Sequence, residues 1–209
     1  YRDFPRRHPE EVEKPVTISN YLSNYLVILY ETLGGYDQFK QAAPDGFHRS
    51  LDEAEEFVTI SNHLGTLYET LGDYEQAKSS FEDALRIFQT LQNKNGEGSA
   101  LSNLGNIYDI LGDYPKALDY HQQALAISRN LKNKAKEATV LTNLGVVQGS
   151  LNDHQHALQS HQEALKIFET LDDEEGKAVA YLQIGVTLEK LSNYSDAKTA
   201  FENSAKLSR

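Results

Sequence analysis

A period of 40 residues runs through most of the 209-residue chain and constrains its fold more than any other feature. Glycine returns at this spacing, always after a Leu or Ile, at Gly65, Gly105, Gly145 and Gly185. Sixteen residues after each glycine stands an aromatic or histidine side chain, namely Phe81, His121, His161 and Phe201. A fixed period of this length is typical of stacked repeats, in which each unit buries its apolar face against its neighbours.

Each repeat contains two stretches with the apolar spacing of an amphipathic helix. Leu101, Leu104 and Tyr108 follow three- and four-residue steps in one stretch, and the residues from Ala117 onward do so in the next. Between them, Gly112 stands just after a helix end, where a left-handed backbone favours glycine. Small residues recur because two helices that cross closely leave little room for side chains. The pattern predicts antiparallel helix hairpins in an all-α protein.

The repeat resembles the tetratricopeptide repeat. The resemblance rests on the Leu-Gly pair, the Tyr68 and Tyr108 column, the Leu-Gly-Asp-Tyr turn and the Ala, aromatic, Ala series of the second helix. The spacing of 40 and the Asn-Leu-Gly-Asn sequence at 103–106 are most similar to the long repeats of Pins/LGN adaptors, kinesin light chains and bacterial arrays. The resemblance implies a right-handed α-solenoid, and it leaves function open because such repeats serve many unrelated partners.

The period divides the chain into six segments. They are an extended tail rich in proline and charge at 1–15, a degenerate amino-terminal helical hairpin or cap at 16–57, and repeats at 58–97, 98–137, 138–177 and 178–209. The hairpin is degenerate because Pro44 and Gly46 oppose a helix interior, and a new helix is predicted from Ser50 through Phe57 into the next repeat. We expect a disordered tail, and the alternatives are a segment that docks in the chain's own groove or a piece of a partner fused to the repeats.

Composition and motifs exclude several functional classes. A net charge of −11 argues against a broad electrostatic surface for nucleic acid. No apolar stretch approaches the ~20 residues of a membrane helix, and 1–15 lacks the apolar core of a signal peptide, so we expect no membrane insertion and a cytoplasmic protein. The chain has no cysteine, phosphate loop, metalloprotease helix or nucleophile elbow. We therefore expect no catalytic residues and no enzyme.

Two clusters of potential metal ligands are predicted not to bind metal. His154, His156 and His161 share one predicted helix, but their spacings differ from the three or four residues that place ligands on one face. The acidic run 172–175 falls at the start of a helix, where negative charge complements the helix dipole. No cofactor is expected.

The resemblance implies that the first helix of each repeat lines the concave wall, so the exposed stripe of these helices is the candidate site, a peptide-binding groove. By helical phase it contains Asn62, Thr66, Glu69, Asn103, Asn106, Asp109, Asn143, Val146, Gln183 and Glu189. An asparagine side chain both donates and accepts hydrogen bonds, so it can pair with the backbone of an extended peptide of any sequence. The long-repeat adaptors that the chain resembles use such asparagine ladders. The alternative is that these amides solvate the groove or bridge neighbouring helices.

The predicted groove lacks cations at the positions where tetratricopeptide domains that bind chaperone tails carry a Lys, Asn and Arg clamp. Those positions hold Asn62 or Ser102, Thr66 or Asn106, and Thr139 or Val179. Acidic side chains stand close by, so a neutral or basic segment of a partner is favoured over an acidic one.

These observations predict a non-catalytic interaction module or scaffold that binds a protein or peptide segment in its groove. The alternative is the regulatory or sensory array of a larger enzyme or signalling protein. Two features motivate it: the truncated, uncapped last repeat, and the absence of methionine, which indicates a fragment. If no further helix covers the last repeat, end-to-end self-association through the face near Tyr181, Leu188 and Leu207 is expected.

Overall fold

The computed structural model describes residues 51–207, with side chains from Val58 onward except at 59 and 60. The predicted tail and nearly all of the predicted hairpin at 16–57 lie outside these residues. The described part contains eight α-helices. They are α1 (Leu51–Leu71), α2 (Tyr74–Thr90), α3 (Lys94–Ile110), α4 (Tyr114–Asn130), α5 (Lys134–Ser150), α6 (His154–Leu171), α7 (Glu174–Lys190) and α8 (Tyr194–Leu207).

The helices pair as four antiparallel hairpins, and each second helix also packs against the first helix of the next hairpin. The predicted continuous helix across Phe57 is present as α1. Loops between hairpins lie at 91–93, 131–133 and 172–173. The predicted repeat boundaries at 98, 138 and 178 lie about one helical turn after the starts of the first helices. The loops between hairpins therefore precede these boundaries.

Polar side chains define where the helices start. Each helix from α2 to α7 follows an Asp or Asn whose side-chain oxygen accepts the backbone N–H three residues later, which satisfies one of the free N–H groups of the first turn. These caps are Asp73, Asn93, Asp113, Asn133, Asp153 and Asp173. Gly72 and Gly112 adopt the predicted left-handed conformation after the first helices, each with φ of 78°.

The glycine column lies where the two helices of each hairpin cross. A Cβ atom at Gly105 would lie 2.6 Å from the His121 ring, and one at Gly185 would lie 2.6 Å from the Phe201 ring. Gly65 and Gly145 stand in the same relation to Phe81 and His161. At each of these predicted close crossings, an aromatic or histidine ring therefore occupies the space that a side chain larger than glycine would need.

The first helices form one continuous inner face. Helix α5 contacts both α3 and α7 directly, in addition to the second helices on either side. Because α3, α5 and α7 run in the same direction, their N-terminal turns line one edge of this inner face and their C-terminal turns line the opposite edge. Within 51–207, no helix has the length and apolar character needed to cross a membrane.

Candidate functional site

All ten residues of the predicted groove lie on first helices. Thr66 and Glu189 are exposed, and the other eight are partly buried. Asn103, Asn106 and Asn143 lie on α3 and α5, two first helices in direct contact. These three amides are the part of the predicted groove with the densest hydrogen-bonding capacity.

A hydrogen bond joins two of these amides across successive hairpins. Asn143 Nδ2 donates to Asn106 Oδ1 over 3.0 Å. The bridging role that the sequence analysis left open is therefore real for this pair. The bond uses one N–H of Asn143 and the carbonyl of Asn106, which leaves the Asn106 amide as donor and the Asn143 carbonyl as acceptor for other groups.

The amino-terminal part of the predicted groove contributes less hydrogen-bonding capacity. Asn62 Oδ1 is buried and has no hydrogen-bond partner among the described residues. The Thr66 hydroxyl donates to the backbone carbonyl of Asn62 over 3.1 Å. The Asn62 oxygen is therefore inaccessible and the Thr66 hydroxyl is bonded within α1, so α3 and α5 are the better candidates for ligand contact.

Two acidic side chains lie at the C-terminal edge of the inner face. Glu69 and Asp109 occupy the last turns of α1 and α3. Burial raises the pKa of each carboxyl, and within the described chain neither forms an ion pair. The negative end of each helix dipole also disfavours these charges. A basic group from a ligand would relieve both effects.

A cleft of about 170 Å³ opens between α3, α4 and α5 at the opposite, N-terminal edge. Its polar lining includes Ser99, Ser102, Asn103, Lys136 and Thr139, and its apolar lining includes Ala124, Ile127, Leu131 and Val140. Lys136 Nζ donates to Ser99 Oγ and to the Asn95 carbonyl, the latter over 3.3 Å. The predicted lack of cations applies to the clamp positions of the groove, and Lys136 lies outside them, in the first turn of α5.

The histidines do not form a common site. His161 is 1% exposed and lies under Gly145, whereas His156 is exposed and its Nδ1 lies 2.7 Å from Asp153 Oδ2. Burial lowers the pKa of His121 and of His161 to about 4. Over residues 51–207, no three His, Asp or Glu side chains are grouped so that they could hold a metal ion.

A stack of antiparallel helix hairpins with a polar inner face defines a helical-repeat scaffold. Tetratricopeptide repeat models match residues 56–130, 96–170 and 178–209. The chain belongs to the tetratricopeptide repeat family. Tetratricopeptide repeat proteins are generally non-catalytic interaction modules, and the chain is a protein–protein interaction scaffold.

Several solved structures share the fold. The chain is similar to BtubC (BKLC) from P. vanneervenii, with a TM-score of 0.71, 20% identity, and coverage of 93% of this chain and 82% of that one. It is similar to MamA, with a TM-score of 0.61, 20% identity and coverage of 83% and 84%. It is also similar to the apo form of RapI, with a TM-score of 0.73, 17% identity and coverage of 90% and 68%. These likenesses confirm the predicted right-handed α-solenoid. No protein of curated function matches the chain by sequence.

Proposed function

We propose that the inner face of α3, α5 and α7 binds an extended peptide segment of a partner protein, without catalysis. The Asn106–Asn143 hydrogen bond carries this proposal, because it fixes two amides of successive hairpins relative to each other. The remaining donor of one and acceptor of the other suit a peptide backbone, which offers both groups at every residue. Gln183 extends the line of amides onto α7.

The preference for a neutral or basic segment applies at the C-terminal edge of the inner face. Glu69 and Asp109 are partly desolvated there and lack ion-pair partners within the described chain. A Lys or Arg of the bound segment would restore the interaction that burial removes.

The absence of catalysis belongs to the same proposal. His121 and His161 carry the most strongly shifted pKa values of the described residues, and both are 1% exposed inside hairpins. A substrate has no access to them in the folded chain. A cytoplasmic location is also part of the proposal, and the lack of cysteine is compatible with it without favouring it. Fractionation of cells that express the tagged protein tests the location.

Peptide selection tests the groove. The immobilised protein is used to select from a phage-displayed library of random dodecamers, and binding of the enriched peptides is measured by fluorescence anisotropy. The triple variant Asn103→Ala, Asn106→Ala and Asn143→Ala should bind them at least tenfold more weakly, a loss of about 1.4 kcal/mol. The matched control, Gln122→Ala, Asn130→Ala and Gln155→Ala, removes three exposed amides elsewhere and should bind like the wild type.

Circular dichroism at the assay temperature confirms that both triple variants are folded. Equal binding by the wild type and the inner-face variant would refute the groove, as would equal losses in both variants.

Self-association is a second proposal, through a different face from the one predicted near Tyr181, Leu188 and Leu207, because Leu188 is buried. Exposed apolar residues on α7 favour it instead. Val179, Leu182 and Val186 are 43%, 46% and 40% exposed and recur at helical spacing. Thr142, at the position of Leu182 in the preceding hairpin, is only 8% exposed. Light scattering should detect dimers that the variant Leu182→Gln with Val186→Gln no longer forms. A wild-type monomer at high concentration would refute this proposal.

A further inference from the structure

Three junctions join a second helix to the first helix of the next hairpin, and two of them are built alike. At the α2–α3 junction the Phe88 ring lies against Gly96, and at the α6–α7 junction the Phe168 ring lies against Gly176. A Cβ atom at either glycine would fall inside the ring's van der Waals envelope. In both junctions, therefore, an aromatic ring fills the space between the helices.

The α4–α5 junction departs from this design at both positions. Ser128 stands where the others have phenylalanine, and Lys136 stands where they have glycine. Ser128 is buried, and its hydroxyl donates to the Leu125 carbonyl of its own helix over 2.9 Å. Val140 replaces the Ala100 and Ala180 of the other junctions, but it does not fill the ring's space, since the cleft of about 170 Å³ remains.

The size of this cleft suits one aromatic ring. A protein cavity of about 150 Å³ lined by apolar side chains is known to accept benzene. The walls formed by Ala124, Ile127, Leu131 and Val140 are apolar. The opening beside Asn103 adjoins the amides of the inner face. A ring that enters here would occupy the position that Phe88 and Phe168 hold at the neighbouring junctions.

The positive charge at the edge of the cleft indicates the chemistry of a second ligand group. Lys136 lies in the first turn of α5 and touches the first turns of α3 through Asn95 and Ser99. Both helix N-termini carry partial positive charge, so they do not neutralise the ammonium. Burial lowers the pKa of Lys136, and no described carboxylate lies within ion-pair distance of it. A carboxylate would complement all three positive groups.

We propose that the cleft between α3, α4 and α5 binds an aromatic side chain of the partner segment, with an adjacent acidic side chain of that segment paired to Lys136. This inference rests on the proposed function of the inner face, and it identifies the side chain that anchors the bound segment. An internal acidic residue is the source we assign, because the amides of Asn103, Asn106 and Asn143 continue the surface beyond the cleft and require the chain to run on.

Blocked tetrapeptides test the anchor without the rest of the groove. The probes are acetyl-Gly-Asp-Phe-Gly-amide and acetyl-Gly-Phe-Asp-Gly-amide, each with versions in which Asn replaces Asp or Ala replaces Phe. Titrations are followed in the full chain by NMR of labelled Ala, Ile and Val methyl groups. One of the two acidic peptides should shift the methyl signals of Ala124, Ile127 and Val140. Its Asn version should bind about fivefold more weakly, and its Ala version should not bind.

Protein variants assign these effects to the residues. In Lys136→Gln the Asp and Asn peptides should bind equally. Lys132→Gln is the matched control, because it removes an exposed lysine four residues away and Gln92 stands at that position in the previous hairpin. It should keep the fivefold difference. The variant Ser128→Phe, Lys136→Gly and Val140→Ala copies the neighbouring junctions and should abolish all methyl shifts while keeping the wild-type helicity.

Several outcomes would overturn the anchor. Equal binding of the Asp and Asn peptides by the wild type removes the role of Lys136. Tighter binding of acetyl-Gly-Gly-Phe with a free carboxylate assigns the site to a chain terminus instead of an internal acid. If no tetrapeptide shifts the methyl signals while the selected dodecamers still bind the inner face, the cleft inference fails and the proposed function stands.

Discussion

The two middle hairpins and the two outer hairpins share one helix crossing but cover it with different rings. Phe81 and Phe201 lie over the crossing glycine in the outer hairpins, whereas His121 and His161 do so in the middle ones. The backbone design is the same, since each ring occupies the space above a glycine. Shape therefore fixes this position more tightly than polarity does.

The exchange of phenylalanine for histidine has an energetic consequence. His121 and His161 are 1% exposed, and Nδ1 of each has no hydrogen-bond partner among the described residues. Because burial disfavours the charged imidazole, the pKa of each falls from 6.5 to about 4. The outer hairpins contain no titratable group at the crossing. Acid should therefore weaken the middle of the stack first.

The largest expected effect is the removal of this acid sensitivity by His121→Phe with His161→Phe. Between pH 6.5 and about 4 the unfolded chain binds protons that the folded chain excludes, so stability falls as the pH falls below 6.5 and levels off below about 4. At pH 5 each histidine should cost about 2 kcal/mol relative to pH 7, or about 4 kcal/mol for the pair. Urea unfolding at both pH values measures the difference.

The variant His63→Gln is the control for this measurement. His63 is exposed on α1, and Gln183 occupies the same position in the last hairpin, so the pH dependence of the unfolding free energy should stay that of the wild type. An unchanged pH dependence in the double phenylalanine variant would mean that the buried imidazoles are protonated in the folded chain or are not the acid-sensitive groups.

The next largest effect compares the crossing of a middle hairpin with that of an outer one. Gly145→Ala places a methyl group 2.4 Å from the His161 ring, which is 1% exposed. Overpacking of this kind costs about 1–3 kcal/mol, and only part of it is offset by the helix propensity of alanine, about 1 kcal/mol. We expect the free energy of unfolding to fall by about 2 kcal/mol.

Gly185→Ala is the matched outer change. The Phe201 ring that it meets is only partly buried, on the last described helix. The ring can therefore shift outward, and we expect a loss of less than about 1 kcal/mol in the same urea titration. Equal losses for the two alanine variants would show that the middle and outer crossings are equally rigid.

Much of the fold could be predicted from the sequence, because the repeat makes local signals agree. The spacing of Leu101, Leu104 and Tyr108 predicts a helix that the structure contains as part of α3. Gly112 is predicted to be left-handed after that helix, and it has φ of 78°. Each of these features depends on residues within one or two helical turns of each other, where spacing alone decides the outcome.

The site was predicted less completely, because its features depend on pairs of residues from different repeats. Asn103 and Asn143 are 40 residues apart and occupy the same repeat position, whereas the hydrogen bond joins Asn143 to Asn106. The sequence gives no sign that Lys136 lies at a cleft, because this depends on Ser128, which lines the same cleft from another helix. The sequence does show, at the 40-residue spacing, that Ser128 and Lys136 replace the Phe and Gly of the other junctions. It does not show the cleft that results.

The smallest expected effect concerns the turn inside each hairpin. Gly72 and Gly112 end the first two first helices, but Asn152 and Ser192 stand at the same position of the last two with φ of 62° and 61°. Asparagine tolerates the left-handed region better than serine does. The turn of the α7–α8 hairpin, at Ser192, therefore carries more backbone strain than the turn of the α5–α6 hairpin, at Asn152. Ser192→Gly should raise the free energy of unfolding by about 0.5 kcal/mol, after allowance for the greater entropy of glycine in the unfolded chain. Asn152→Gly should change it by less, and a larger gain at Asn152 than at Ser192 would reverse the assignment of strain.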